Sequence, residues 1–423
     1  MEKKVEVCQP SYVEHFVCDG ARCQARCCRG WQIAVNDAAY ALYEEIDGDL
    51  RQDVLASIRS FPPNAAFPKG GREIILREDG SCPMICTKDQ LCRIQRTYGE
   101  TYLSIACQVF PRMAHSLERI QFRTMSLACP VAADAAMTVE GMKWSRTAYL
   151  DEEERIWQAL FQAEGWGTPY RRQESDSDRR RMTVVLSMAA VSTSEALSLV
   201  ERLCLLAYLA DDIDEQELND ADDDAIDTCV LPYFDMGETQ AKIRSVLSDL
   251  PFDPVGYAAL WRNVFLRLQE TEDALEIIRP ILDRVNQVYR PDLDAKDVDL
   301  EQLAVRILEV RAVYEEEMNR RYGELMKCYQ LHEFQHLGFP YQFDGTKLEN
   351  VFLHILLIAF FEVCFYGLTA YCGHVPERHE VIEFIALISR AVDHSIPFRK
   401  AMEEIVKHEG KRPEVFLRKL LVH

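Results

Sequence analysis

The stretch "CQARCCRGW" places Cys23, Cys27 and Cys28 within six residues, and Cys18 stands five positions upstream. Thiols crowded in this way are disulfides, metal ligands, a redox dithiol or coincidence. The opening residues "MEKKVEVCQP" contain no apolar run that would act as a signal peptide, so a cytoplasmic location is expected. In that reducing compartment fifteen cysteines are poor candidates for structural disulfides, and metal ligation or catalysis becomes the better default. Ten of the fifteen lie at or before Cys129, whereas eight of the ten histidines lie after residue 140. Only His15 and His115 accompany the early thiols.

Four more cysteines stand in suggestive settings: Cys82 in "GSCP", Cys92 in "LCRIQ", Cys107 in "ACQVFPR" and Cys129 in "LACP". Turns of this kind can aim several sulfurs at one point and offer backbone amides to them. An all-sulfur set selects an iron–sulfur cluster or a four-thiolate zinc site over His-rich catalytic zinc. Neighbouring side chains diverge, so Cys27 and Cys28 are not expected to reach the same ion. Eight candidates then give one four-cysteine site plus bystanders, or two sites. The plainer reading is buried free thiols that behave as small hydrophobes, and it is preferred for Cys86, Cys204, Cys229, Cys328, Cys364 and Cys372 taken singly. The C-x3-C-x2-C loop of radical S-adenosylmethionine enzymes is absent, because Gly30 stands where its third cysteine belongs.

Charge divides the chain as sharply as cysteine does. Residues 1–140 hold 16 basic and 18 acidic side chains, so the remainder carries nearly all of the net −21. An acidic body argues against a nucleic-acid partner and would suit a substrate that presents lysines; it would equally serve as an ordinary solubilising surface. The expected architecture is mainly α: a small α+β cysteine-cluster module (1–140) packed on a larger all-α acidic domain (141–423), the latter subdivided near 211–227. In the first part, residues 36–61 read as one helix capped by Asn36 or Asp37, "REIILRE" as a short strand, and residues 91–107 as helical up to Pro111. "AHSLERIQFRTMSLAC" reads as a hairpin returning Cys129 towards Cys107. Beyond residue 140, helices are expected over 182–210, 253–290 and 299–330, with linkers at 167–182 and 211–227. "VFLHILLIAFFEVCFYGLTAYC" (351–372) is long enough to span a bilayer, but it contains His354 and Glu362. It is therefore expected as a buried helix of a domain with no membrane partner.

The ordered set "FVCDGARCQARCCRGWQIAVN", "GSCP", "LCRIQRTYGETYL", "ACQVFPR" and "LACP" resembles the flagellin lysine N-methylase (FliB) family, which is related to YkgJ-like cysteine-cluster proteins. The resemblance covers residues 16–130, about a quarter of the chain. "CPMIC" departs from it by carrying a second cysteine, Cys86. It implies transfer of methyl groups from S-adenosylmethionine to surface lysines of flagellin, by an enzyme holding an iron–sulfur cluster, of the 4Fe-4S type before zinc. Four metal ligands are then expected among Cys18, Cys23, Cys27, Cys28, Cys82, Cys92, Cys107 and Cys129. Trp31, Gln95, Glu100 and Arg112 lie inside the matching motifs, to contact the cofactor or to brace the cysteine loops. No glycine fingerprint of a Rossmann-type nucleotide site follows an expected strand, and no catalytic residue is identified.

One rival motif remains. "HEFQH", His332 to His336, is a literal H-E-x-x-H, which on a helix could bind zinc with Glu333 as general base and Glu349 or Glu362 as third ligand. Gly338 and Pro340 end such a helix at once, and no third histidine follows at metzincin spacing. A zinc metallopeptidase is the alternative reading, and a non-catalytic metal-binding scaffold is the third.

Overall fold

Val5, Val7 and Gln9 alternate with polar neighbours, the two-residue period of a strand. In the computed structural model that period is realised. The structure describes residues 4–420 apart from 24, 32, 64–68, 118–119, 151–156, 158–177, 219–222, 235, 270–271, 290–297, 337, 342–344 and 410–411. The chain divides into two compact units, Met1–Ala136 with Glu140–Arg172, and Met137–Val139 with Gln173–His423.

In the first unit β1 (Lys4–Pro10) pairs in parallel with one strand of a hairpin and antiparallel with a late strand. The hairpin is β5 (Arg112–Leu117) and β6 (Ile120–Met125), the late strand β7 (Trp144–Leu150), and the sheet order is β5-β6-β1-β7. A smaller sheet, in the order β2-β4-β3, combines β2 (Ala34–Val35), β3 (Ile58–Phe61) and β4 (Gly71–Ile74). Short helices join these strands: α1 (Ser11–Glu14), α2 (Gly20–Cys23), α3 (Asp37–Glu45), α4 (Asp49–Ala56), α5 (Arg93–Tyr98), α6 (Ile105–Val109) and α7 (Pro130–Ala136).

Two long helices expected here are broken. Residues 36–61 form α3, α4 and then strand β3: the chain becomes extended at Ile46, and Gly48 at positive φ (73°) redirects it into α4. Residues 91–107 form α5, a 3₁₀ turn at Glu100–Tyr102 and α6, divided at Gly99 (φ 88°). The short strand and the hairpin stand where expected.

The second unit is helical in all its named elements. Its helices are α8 (Asp178–Ser192), α9 (Leu199–Leu218), α10 (Asp223–Val230), α11 (Met236–Ser248), α12 (Pro254–Gln269) and α13 (Glu272–Tyr289). They continue with α14 (Leu300–Gln335), α15 (Lys347–Cys372), α16 (Arg378–His394), α17 (Ile396–Glu409) and α18 (Pro413–Arg418). The protein is thus mainly α with a small α+β part. The acidic stretch 211–227, expected as a linker, instead supplies the end of α9 and the start of α10; a charged run on one helix face is as well solvated as a loop. Of the other expected linker, 178–182 open α8 and 167–177 lie outside the described residues.

α15 is the core. A Thr346–Glu349 capping box starts it, and Gly373 in the left-handed region (φ 74°) stops it. Phe352, Phe360, Phe361 and Phe365 are buried completely, against Trp261 of α12, Phe384 of α16 and Phe398 of α17. Each such ring withdrawn from water contributes roughly 2–3 kcal/mol. Among the described residues α15 is the one helix long and apolar enough to cross a membrane, and 89% of its apolar stretch is buried inside the protein. Glu362 within it is offset by Arg311 of α14, 3.5 Å away.

Candidate metal centre

All fifteen cysteines are free thiols, so disulfides play no part. The eight motif cysteines come from irregular segments of the first unit. Ala25, buried and held left-handed (φ 53°), turns the chain out of α2 into the 3₁₀ turn Arg26–Cys28. A buried non-glycine residue in that region costs free energy that its surroundings must offset, a mark often found at functional sites. The next residues are stitched to the Cys82 turn. The Gly30 amide donates to the Gly80 carbonyl (2.8 Å), and the Cys82 amide donates to the Cys28 carbonyl (2.7 Å). The Arg93 amide then donates to the Met84 carbonyl (2.8 Å), which fixes Cys92 at the head of α5.

The sulfurs fall into two neighbourhoods. Cys28, Cys82, Cys92 and Cys107 belong to a single buried cluster with Trp31, Tyr43, Ile85 and Leu103. Burial raises Cys82 to about 11, Cys107 to about 12 and Cys92 as well, the Cys27 hydrogen bond and then burial raise Cys28, and other sulfurs nearby add to each. The Tyr43 hydroxyl faces three of them, and burial first, then those sulfurs, push its pKa up. Cys18, Cys23, Cys27 and Cys129 form the other neighbourhood. α2 packs on α7, with Arg22 paired to Asp134, which brings Cys23 to Cys129. Burial raises Cys18 to about 11 and Cys129 to about 12, with Cys23 and Cys27 adding to both.

Cys27 and Cys28 do not diverge as expected. Successive residues of a 3₁₀ turn are about 120° apart rather than opposed, and their sulfurs stand 3.7 Å from each other. The hydrogen bond between the two sulfurs holds the Cys27 thiol below its ordinary value and pushes Cys28 far up.

Backbone amides near four of these sulfurs lower the thiols against the burial that raises them. The amide of Met84 acts in this way on Cys82, those of Gln95 and Ile94 on Cys92, those of Arg26 and Ala25 on Cys23, and those of Ala132 and Val131 on Cys129. Such donors stabilise a thiolate and are of little use to a neutral thiol. Among the described residues, however, no three of these donors close around one point as they would around a single ion. Cys86 stands apart, bonded by Arg96 at the surface.

The four motif residues expected at a cofactor or bracing position divide. Trp31 packs in the buried thiol cluster with its ring 5.9 Å from that of Phe110, and the Gln95 amide supports Cys92. Arg112 lies over the Phe16 ring and beside Cys18, with Glu100 the other charge near it. Gly20 is the contact point between the two cysteine loops. A Cβ placed there would meet the Gln90 carbonyl oxygen at 2.6 Å. Gly20→Ala is therefore expected to force these loops apart and to cost about 1–3 kcal/mol, read as a lower urea midpoint with an unchanged transition slope.

The helical unit supplies a second line of information. Residues 191–414, just over half of the chain, match the family model of the FliB lysine N-methylase C-terminal domain. The chain belongs to the FliB lysine N-methylase family. The flagellar biosynthetic protein FliU of Salmonella muenchen is 33% identical over 129 residues, 30% of this chain and 75% of that protein. Lysine-N-methylases of Salmonella choleraesuis and Salmonella typhimurium are 33% and 32% identical over 129 residues, which is 31% of each. The aligned stretch thus spans less than a third of those two relatives. No solved structure matches.

The H-E-x-x-H motif lies within this FliB domain, at the end of α14. His332 and His336 do share a face, their rings 4.8 Å apart, but His332, Glu333 and His336 are all buried. His336 pairs with Asp393 of α16 at 3.4 Å. The carboxylates expected as third ligand are engaged elsewhere, Glu349 in its capping box and Glu362 with Arg311. Among the described residues no third donor joins the two histidines. His336 instead ties the end of α14 to Asp393 of α16. His332→Ala is expected to leave bound metal unchanged and to destabilise by about 1–3 kcal/mol, whereas a peptidase would lose one zinc.

Proposed function

We propose that this protein transfers methyl groups from S-adenosylmethionine to lysine ε-amines of flagellin, and that its cysteine-rich unit holds an iron–sulfur cluster. The observation that carries the lysine chemistry is the match of residues 191–414 to the FliB lysine N-methylase C-terminal domain. Relatives named Lysine-N-methylase support it, and the name FliU supports a flagellar substrate.

The thiols fit the cluster. They are sulfur-only, and backbone amides lower Cys82, Cys92 and Cys129 against the rise that burial causes. A donor set of sulfur alone suits an iron–sulfur cluster before a His-rich catalytic zinc. When bound, the cluster would supply a redox-capable, charged inorganic centre beside the Cys28 turn.

The transfer itself is an in-line displacement. The lysine nitrogen forms a bond to the methyl carbon as the carbon–sulfur bond breaks, S-adenosylhomocysteine leaves, and the ammonium product sheds a proton. Attack needs the neutral amine held about 3 Å from the methyl carbon. The acidic second unit would gather lysine-bearing surfaces before that step. Protein purified without oxygen, mixed with flagellin and methyl-labelled S-adenosylmethionine, should place label on lysines, located by peptide mass spectrometry. Label on no lysine, with the protein folded and its metal in place, overturns the proposal.

A further inference from the structure

We propose that Cys27 and Cys28 form a redox switch, which a mild oxidant such as glutathione disulfide closes into a reversible disulfide between the two adjacent residues. Closure of the pair stands apart from the methyl-transfer reading; only its consequence for metal loading rests on the preceding proposal.

The two sulfurs stand 3.7 Å apart, within reach of a bond of about 2 Å. Backbone hydrogen bonds hold the turn that carries them. The Cys28 amide donates to the carbonyl of the left-handed Ala25 (2.9 Å), and the Arg29 amide donates to the Arg26 carbonyl (3.2 Å). The Cys28 carbonyl in turn accepts from the Cys82 amide (2.7 Å). Neither thiol is sealed off, since both are only half-buried. Arg26 and Arg29 flank the pair in sequence, and Arg26 is exposed. Basic side chains beside a thiol favour the reactive thiolate and draw anionic oxidants, of which glutathione disulfide is one.

Closure is thiol–disulfide exchange. One thiolate of the pair attacks a sulfur of glutathione disulfide, forms a mixed disulfide and expels the first glutathione. The second thiol gives up its proton, attacks the protein-bound sulfur and expels the second glutathione. Two protein thiols are oxidised, and one glutathione disulfide is reduced to two glutathiones. Adjacent α-carbons are about 3.8 Å apart, closer than disulfides usually span, so the closed ring is strained. Strained disulfides are the easily reduced, regulatory ones. A metal ligand must be a thiolate, so a closed pair withholds Cys28 from the metal centre until a reductant reopens it.

The test uses full-length protein from iron-depleted cells. It is treated with glutathione disulfide, its remaining thiols are blocked with a maleimide, and the peptide carrying both cysteines is weighed without reduction. That peptide should be lighter by two hydrogens and carry no maleimide, and dithiothreitol should restore both maleimide additions. Cys27→Ser and Cys28→Ser cannot close, and each should instead keep one glutathione on the remaining cysteine. A circular dichroism spectrum shows whether each variant is folded. Iron supplied with sulfide should enter the oxidised wild-type chain only after dithiothreitol is added. Maleimide on both cysteines after oxidation, or a bond from either one to a distant cysteine, overturns the switch. Equal iron uptake by the closed and the reduced chain overturns its control of metal loading. Closure of the pair in a chain that takes up no iron in either state supports the switch and sinks the iron–sulfur reading instead.

Discussion

Serine in place of Cys28 is expected to reduce lysine methylation to below about 1% of wild type and to strip iron from the first unit. The magnitude follows from what the thiol touches. Losing a partner that only orients a metal ligand already costs about 10–100-fold, and Cys28 is proposed as a ligand itself. Its backbone carbonyl also accepts from Cys82, so the side chain is aimed by the same contact that holds the neighbouring loop. Serine keeps that carbonyl and nearly the same volume, so the fold of the turn should survive. Cys86→Ser is the matching control. Cys86 is bonded by Arg96 at the surface and lies outside both thiol sets, so iron content and methylation should stay at the wild-type level. Equal loss from the two variants would mean that the effect comes from general unfolding of the unit and not from ligation.

The helical part of this architecture was legible because it is written in periodicity. The long apolar runs became α12, α13 and α14, and 351–372 became the buried core helix despite its membrane-like length. What was misread in the first unit turned on single residues. Gly48 and Gly99 divide helices whose apolar pattern runs straight through them, since only the backbone conformation at the glycine records the break. Strands β1 and β7 were missed, although Val5 and Val7 alternate; their pairing is non-local, across more than 130 residues, and no local signal announces it. The cysteine set was legible as a set. Its partition was not, because it depends on the left-handed Ala25 and on which turns the Cys82 amide meets. The family signal ran the other way. Resemblance was visible at residues 16–130, whereas the family model matches the helical residues 191–414, which carry no short motif to read by eye.

Mild acid should destabilise the helical unit, and two buried histidines set the size of the effect. His354 on α15 sits edge-on to Phe334 and 5.5 Å from Phe339, and burial lowers its pKa to about 3. His394 at the end of α16 is lowered to about 4, by burial first, with His336 and Arg390 pressing the same way against Asp393. Both stay neutral in the fold and take up protons near 6.5 once unfolded. Acid therefore favours the unfolded chain, and the stability they contribute is present above pH 6.5 and lost as pH falls from there towards 3–4. At pH 5 each forfeits about 2 kcal/mol, and the pair about 4 kcal/mol. His336 acts in the opposite sense. Burial lowers it, but Asp393 more than reverses this, so its contribution is full below 6.5 and lost only as pH rises through its raised value. Between pH 7 and 5 that term grows by a fraction of a kcal/mol, so it offsets only a small part of the loss. Urea unfolding followed by far-ultraviolet circular dichroism should give a clearly lower midpoint at pH 5 than at pH 7. His354→Leu, close in volume and unable to bind a proton, should remove about half of that difference. An unchanged pH difference in His354→Leu would show that the loss on acidification comes from other groups.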